Sequence, residues 1–420
     1  MTLANMTTPL LGVVGTAVIG QLGEAHLLGA VAISGVVFDS IFWLFGFLRM
    51  GTVALTAQAL GARDRDEEQA VLARALLIAG ALGFALIALQ APLAFAAYAL
   101  MGASPEVTRA AETYFYIRIW SAPFTLGNYV ILGWLVGLAR AGTALGLQIA
   151  VNLINGVVTA LLVLWLDFGV AGAALGTLIA EAAGLAAGLA IARALMGGRL
   201  TVAAALVLDR AKLVRMLAVN RDIMIRTAAL IFAFGFFAAQ GARAGDTVLA
   251  ANAVLNNLVL VGAYFLDGFA SAAEQLCGRS VGARDRGAFL RATRLVIAWG
   301  LGFGLATTLA FMLAGPWLIA LMTASPDVRM AAGEFLVYAA LAPAIGVFAY
   351  AYDGIYIGAT WTRDMRNLMV AALALYLAAW WLLAPLGNAG LWSAVLVFLA
   401  ARGILQFARY PALVRASFTD

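Results

Sequence analysis

The chain is written twice. Gly61-Ala62-Arg63-Asp64-Arg65 returns as Gly282-Ala283-Arg284-Asp285-Arg286, 221 residues later. Ala122-Pro123 returns as Ala342-Pro343 after 220, and Gly133 and Gly137 return as Gly354 and Gly358 after 221. Phe168-Gly169-Val170-Ala171-Gly172 is echoed by Leu386-Gly387-Asn388-Ala389-Gly390 after 218. A nearly constant offset over four separate landmarks is the mark of an internal duplication. Whatever this chain folds into must therefore be built from two related halves.

Both halves read as membrane helices. Of 420 residues, 64% are hydrophobic and 11% charged, far more apolar surface than a soluble domain can bury. A stretch of about 20 apolar residues spans the hydrocarbon core as a helix. Twelve such stretches are expected, near 2–22, 27–59, 70–98, 108–138, 143–166, 169–195, 215–242, 247–280, 289–315, 328–361, 364–386 and 389–410. Six per half is an even number, so both halves share one orientation. The predicted fold is an all-α membrane protein: twelve transmembrane helices in two six-helix bundles, related by a pseudo-twofold axis along the membrane normal. The boundaries are an N-terminal lobe at 1–195, a cytoplasmic linker at 196–214 and a C-terminal lobe at 215–420. The linker mixes Arg199, Asp209, Arg210 and Lys212 with apolar residues and reads as an amphipathic segment on the inner surface.

The net charge of +5 is topology, not a nucleic-acid footprint. Arg63, Arg65, Arg140, Arg193, Arg210, Lys212, Arg284, Arg286, Arg363, Arg366, Arg402 and Arg415 are assigned to alternate ends of the spans; the opposite ends hold little beyond Arg109, Arg243 and Arg329. By the positive-inside bias both termini face the cytoplasm, and the basic excess meets membrane lipid. The expected protein is a multi-pass monomer of the cell inner or plasma membrane. Its one cysteine, Cys277, leaves the redox compartment unread and allows no intrachain disulfide.

Ionisable residues inside a membrane are costly, so each is a functional candidate. Asp39, Glu181, Asp267, Glu274 and Asp353 all fall within spans. Asp267 and Asp353 lie roughly 15–22 Å from the inner end of their helices, near mid-membrane. Two carboxylates at similar depth can hold a proton or a sodium ion between them, or lock the bundle by hydrogen bonds. The ion-coupling reading takes in Asp267, Asp353, Asp39 and Glu274. Tyr264, Tyr352 and Tyr356 flank the two aspartates and can offer aromatic faces to an organic cation, or simply pack. Asn152, Asn256 and Asn257, with Asn155 and Asn252, can line a polar cavity or join helices. Arg49 and Arg226 near helix ends read as snorkelling to the interface.

Catalytic options are poor. His26 is the only histidine, which excludes a zinc-protease helix or a Ser-His-Asp triad, and no phosphate loop is present. Tyr352-Asp353 with Pro411-Ala412-Leu413 resembles motifs of intramembrane aspartyl proteases, but the second acid comes first in the chain and lacks its glycine pattern. No enzyme, no metal site and no cofactor is expected, beyond the coupling ion itself.

Several motifs, in order and over essentially the whole length, carry a family resemblance. Gly46-Phe47-Leu48-Arg49-Met50-Gly51-Thr52, Leu55-Thr56-Ala57-Gln58-Ala59, Asn220-Arg221-Asp222-Ile223-Met224, Leu266-Asp267-Gly268-Phe269-Ala270 and Tyr352-Asp353-Gly354-Ile355-Tyr356-Ile357-Gly358-Ala359 resemble the DNA-damage-inducible F branch of the multidrug and toxic compound extrusion family. The resemblance implies a secondary active antiporter working by alternating access. It would export small amphipathic, cationic organic compounds in exchange for protons, with sodium the alternative ion. It places Asp353 and Asp267 at the family's acids in spans ten and eight. Two positions depart from the pattern: Gly15 stands where relatives carry an aspartate in span one, and Thr159 where they often carry an acid in span five. Asp39 is the nearby acid that would substitute. The chain starts later than most relatives, which implies a short first helix or a misassigned start. A lipid-linked precursor flippase of the same superfamily is the rival reading.

Overall fold

A computed structural model describes residues 18–21, 24–101, 104–198 and 202–418. The expected first span, with Gly15, lies almost wholly outside these described residues. The rest is helix: Ala25–Leu44 (α1), Phe47–Ala62 (α2), Arg65–Ala88 (α3), Gln90–Met101 (α4), Pro105–Arg118 (α5), Ala122–Gly137 (α6), Ala141–Ala160 (α7), Gly169–Leu195 (α8), Ala204–Val207 (α9), Arg210–Arg243 (α10), Asp246–Gly282 (α11), Arg286–Met322 (α12), Pro326–Gly358 (α13), Thr362–Leu383 (α14) and Asn388–Ser417 (α15). Among the described residues, eleven helical stretches are long and apolar enough to cross a membrane. Their outward side chains are bulky and apolar, with Trp165, Leu313 and Trp381 exposed by 81%, 76% and 71%. Such a surface is stable only against lipid, and in lipid only helices or closed barrels satisfy every backbone group.

Three expected spans are interrupted. The second divides at Phe45–Gly46, the third ends at Ala88 before a separate helix begins at Gln90, and the fourth passes through a 3-10 turn at Ile119–Ser121. The stretch expected as a surface linker contains the exposed turn α9 and then the start of α10.

The described chain divides into two compact units, one running to Leu217 and the other beginning at Ala218, with Gly61–Arg63 grouped in the latter. The first turns of α10 are pinned to the N-terminal unit. Arg74, 1% exposed, donates to both oxygens of Glu67 at 2.9 and 2.8 Å, and Lys212 reaches Glu67 Oε2 at 2.6 Å.

The duplication is visible in the backbone. Arg63 and Arg284 both adopt left-handed φ, 59° and 54°, and so do Ala139 and Thr360, at 60° and 57°. Each pair is 221 apart. A β-branched threonine at positive φ is strained, yet the helix end demands it: Trp361 N–H donates to Tyr356 O at 2.8 Å, as Arg140 N–H does to Leu135 O. Asp64 caps Glu67 N–H at 3.0 Å, and Asp285 caps Ala288 N–H at 2.8 Å.

Helix crossings repeat too. A Cβ on Gly133 would stand 2.5 Å from the Arg49 carbonyl; one on Gly354 would collide with the carbonyl of Ala270, the residue 221 after Arg49. These glycines let two backbones touch. Gly354→Ala should cost about 2–3 kcal/mol by overpacking, read as a lower melting midpoint in detergent, and Gly133→Ala should fall in the same direction. A wild-type midpoint in both would show that these crossings are loose.

Candidate functional site

The C-terminal unit buries a charged network where α10, α13 and α15 meet. Asp353 on α13 is 2% exposed. Its Oδ2 accepts from Arg402 Nη2 of α15 at 2.5 Å and from Arg226 Nη2 of α10. Its Oδ1 accepts from Gln406 Nε2 at 2.7 Å. Arg402 and Gln406 are four apart on one helical face, so a single turn of α15 supplies both donors. Tyr356 Oη donates to the Gln406 carbonyl at 2.7 Å, holding that turn in register. The Arg402 guanidinium lies 5.5 Å from the ring centres of both Tyr350 and Phe398.

Asp267 on α11 is half-buried and lies within electrostatic range of Arg226 and Tyr350. Two guanidiniums and two carboxylates therefore share one neighbourhood and balance in formal charge. The sequence puts Asp353 and Asp267 in the same region, and the structure brings both to Arg226. It differs on their chemistry. Asp353 is not an open acid: its oxygens are taken by two guanidiniums and an amide. An isolated buried charge is prohibitive, so the acid and its bases are held together.

Arg226 and Arg402 are corrections to the sequence reading. Arg226 does not snorkel; it is 7% exposed and paired. Arg402 is not a helix-end charge; it is 2% exposed and lies fourteen residues into α15. Gln406 was missed as well. The available signal was the Arg-x-x-x-Gln spacing inside an apolar helix, which puts two polar groups on one buried face.

The remaining expected site residues are dispersed. Tyr352 and Tyr356 are 2% and 0% exposed and pack among rings, Tyr352 with Tyr410 at 5.5 Å and Tyr356 with Trp361 at 5.4 Å. They fill core rather than line an open cavity. Tyr264 is half-buried and Glu274 is 2% exposed. Asn252 exchanges hydrogen bonds with Asn388 at 2.8 and 2.9 Å and accepts from Trp392 Nε1 at 2.9 Å, a lock between α11 and α15. Asn256 is half-buried and Asn257 exposed.

In the N-terminal unit Asn152 accepts from Gln148 Nε2 at 3.1 Å. Asp39 is exposed on α1, within range of the Arg118 charge. Arg118 itself lies 5.5 and 5.4 Å from the Phe38 and Phe42 rings and donates to Ser121. Thr159 is 1% exposed against Gly176. Glu181, on α8, accepts from Asn128 of α6 at 2.7 Å.

Comparison with known proteins agrees with this architecture. The MatE family model matches residues 1–162 and 223–381. DNA damage-inducible protein F of Escherichia coli (strain K12) is 39% identical over 409 residues, covering 96% of this chain and 88% of that protein. Multidrug export protein MepA of Staphylococcus aureus (strain NCTC 8325 / PS 47) is 25% identical over 184 residues, 44% of this chain and 41% of its own length. Among solved structures, the outward-facing conformation of a multidrug resistance MATE family transporter of the MOP superfamily superposes with a TM-score of 0.88 at 21% identity, covering 99% of this chain and 94% of that one. A membrane-embedded, two-unit helical chain that matches the family model over most of its length is a member of the MatE family of multi-pass transporters.

Proposed function

We propose that this chain is a secondary active antiporter of the inner or plasma membrane, with both termini in the cytoplasm. It exports amphipathic, cationic organic compounds in exchange for protons by alternating access and acts as a monomer; sodium is the alternative coupling ion. The relatives' names, drug export among them, support the activity. The observation that carries the coupling is the buried network of Arg226, Asp353 and Arg402 with half-buried Asp267 beside it. Within it Asp353 positions the two guanidiniums, and Asp267 carries the exchangeable charge. With Asp267 ionised the network is neutral and tolerates a bound organic cation. With Asp267 protonated the same network is net positive and expels it. Proton and substrate thus compete through one charge, which is what antiport requires. Tyr264 and Asn256 stand on the same helix as Asp267 and would meet the substrate.

The test is efflux of a fluorescent organic cation from proteoliposomes. Export should follow an imposed pH gradient and not a sodium gradient at fixed pH. Export driven only by sodium would replace the ion; export driven by neither would refute antiport.

A further inference from the structure

The repeat allows one half to be read against the other. Each half has a long span with Ala-Pro near its middle, Ala122-Pro123 and Ala342-Pro343. The C-terminal copy stays continuous, with Pro343 inside α13. The N-terminal copy runs from Pro105 to Gly137, and the 3-10 turn Ile119–Ser121 interrupts it near the middle, between α5 and α6. The shared proline does not force that break, because its copy is tolerated within a helix. Non-helical backbone at membrane depth is kept where it is buried in protein or lines a cavity, and a 3-10 stretch inside a helix often marks a functional position.

What differs is the chemistry beside the proline. Arg118 and Ser121 stand where the other half, 220 residues on, has Tyr338 and Leu341. Arg118 Nη1 donates to Ser121 Oγ, and that hydroxyl donates to the Arg118 carbonyl at 2.7 Å, so the pair closes the turn. Phe38 and Phe42, about one turn apart on α1, both contact the guanidinium; 221 residues on stand Val259 and Ala263. Arg118, Ser121 and the two rings are therefore additions that the shared scaffold does not need. They converge on a cation only 9% exposed. A buried charge is costly unless it is paired. Among the described residues no carboxylate lies within ion-pair distance of Arg118. Asp39, exposed on α1, is within range of its charge without bonding to it. Arg49 is a second cation in range of the same Tyr129, and Glu181, the other acid there, is bonded to Asn128. Ring contacts steady a guanidinium but consume none of its N–H groups. Five donors in a planar fork, one of them spent on Ser121, match a carboxylate.

We propose that Arg118 binds the carboxylate of an amphipathic organic substrate in the N-terminal unit, so that the exported compounds include zwitterions and not only bare cations. This rests on the export proposed above and names part of its substrate class. Arg118 lies thirteen residues along α5, about 20 Å from its start, too deep for a lipid headgroup to reach. Asp39 supplies the counter-charge when no substrate is bound, and the incoming carboxylate takes over that role on the fork.

The test is equilibrium binding to the purified full-length chain in detergent, which needs no transport. The probe is dansylglycine, a carboxylate at neutral pH, with uncharged dansylglycinamide as control. Losing a charge-assisted hydrogen bond weakens binding about tenfold or more. Arg118→Gln should therefore weaken the acid about tenfold and leave the amide unchanged. Asp39→Asn, at an exposed position, removes the competing charge and should tighten the acid, again without moving the amide. Equal affinity for acid and amide in the wild type overturns the site. So does an unchanged affinity for the acid in Arg118→Gln with the melting midpoint retained. If Arg118→Gln does not fold, Asp39→Asn decides: acid binding that is weakened or unchanged overturns the site. Efflux from proteoliposomes separates the two readings. A wild-type chain that exports an organic cation yet does not tell acid from amide overturns the site alone. One that binds the acid selectively and exports nothing overturns the export reading and leaves the site standing.

Discussion

Alanine at position 353 is expected to destabilise the C-terminal unit by about 3–5 kcal/mol, because it strands two guanidiniums in a dry interior. Asp353 bonds to both Arg226 and Arg402, and the Nε atoms of both arginines already lack partners among the described residues. With total stabilities of about 5–15 kcal/mol, such a loss removes much of the fold's margin. Asp353→Ala should therefore melt far below wild type in detergent, or be recovered poorly from membranes. The cost arises from unpaired charge, so removing all three charges should reverse it: Arg226→Met, Asp353→Leu and Arg402→Met together should regain most of the midpoint while losing transport. That pattern separates a positioning network from a lone coupling acid. A wild-type midpoint for Asp353→Ala would show that the network stabilises nothing.

The triple variant also isolates what one-dimensional reading cannot see. Duplication, span number and helix ends were legible because they depend on local pattern: the offset of 221 predicts matching caps at Asp64 and Asp285, and matching strained turns at Ala139 and Thr360. Proximity was legible as well, since counting residues along α11 and α13 brings Asp267 and Asp353 to one region, and both act on Arg226. The partners were not. Arg402 is 49 residues from Asp353 and Arg226 is 127 away, and an arginine in an apolar helix looks the same whether it snorkels or pairs. Tyr352 misled for a geometric reason. Adjacent residues on a helix point about 100° apart, so a tyrosine next to Asp353 in sequence cannot share its face. The interruptions at Phe45–Gly46 and at Leu89 carry no proline or charge at the break, so a hydropathy pattern runs through them unchanged.

Asp267→Asn should give the opposite signature from Asp353→Ala: a stable protein that no longer couples. Asp267 is half-buried where Asp353 is 2% exposed, so an isosteric amide should leave the melting midpoint near wild type. Its charge, however, is the one that can change while Asp353 stays bonded to Arg226, Arg402 and Gln406. An asparagine fixes the network in its net-positive form at every pH. Binding of an organic cation should weaken, and the dependence of that binding on pH should flatten. Coupling free energies of about 1–3 kcal/mol correspond to about 5–150-fold in affinity, so a loss of this size is readily measured. In proteoliposomes the variant should show neither efflux driven by a pH gradient nor proton release on adding substrate. The two variants must be read together. If Asp267→Asn unfolds as Asp353→Ala does, Asp267 belongs to the structural network and carries no exchangeable charge. If it folds and still exports against a pH gradient, the coupling charge lies elsewhere, and the half-buried Glu181 is the next carboxylate to remove. Only a folded chain with pH-independent cation binding fits an antiporter whose proton and substrate meet at Asp267.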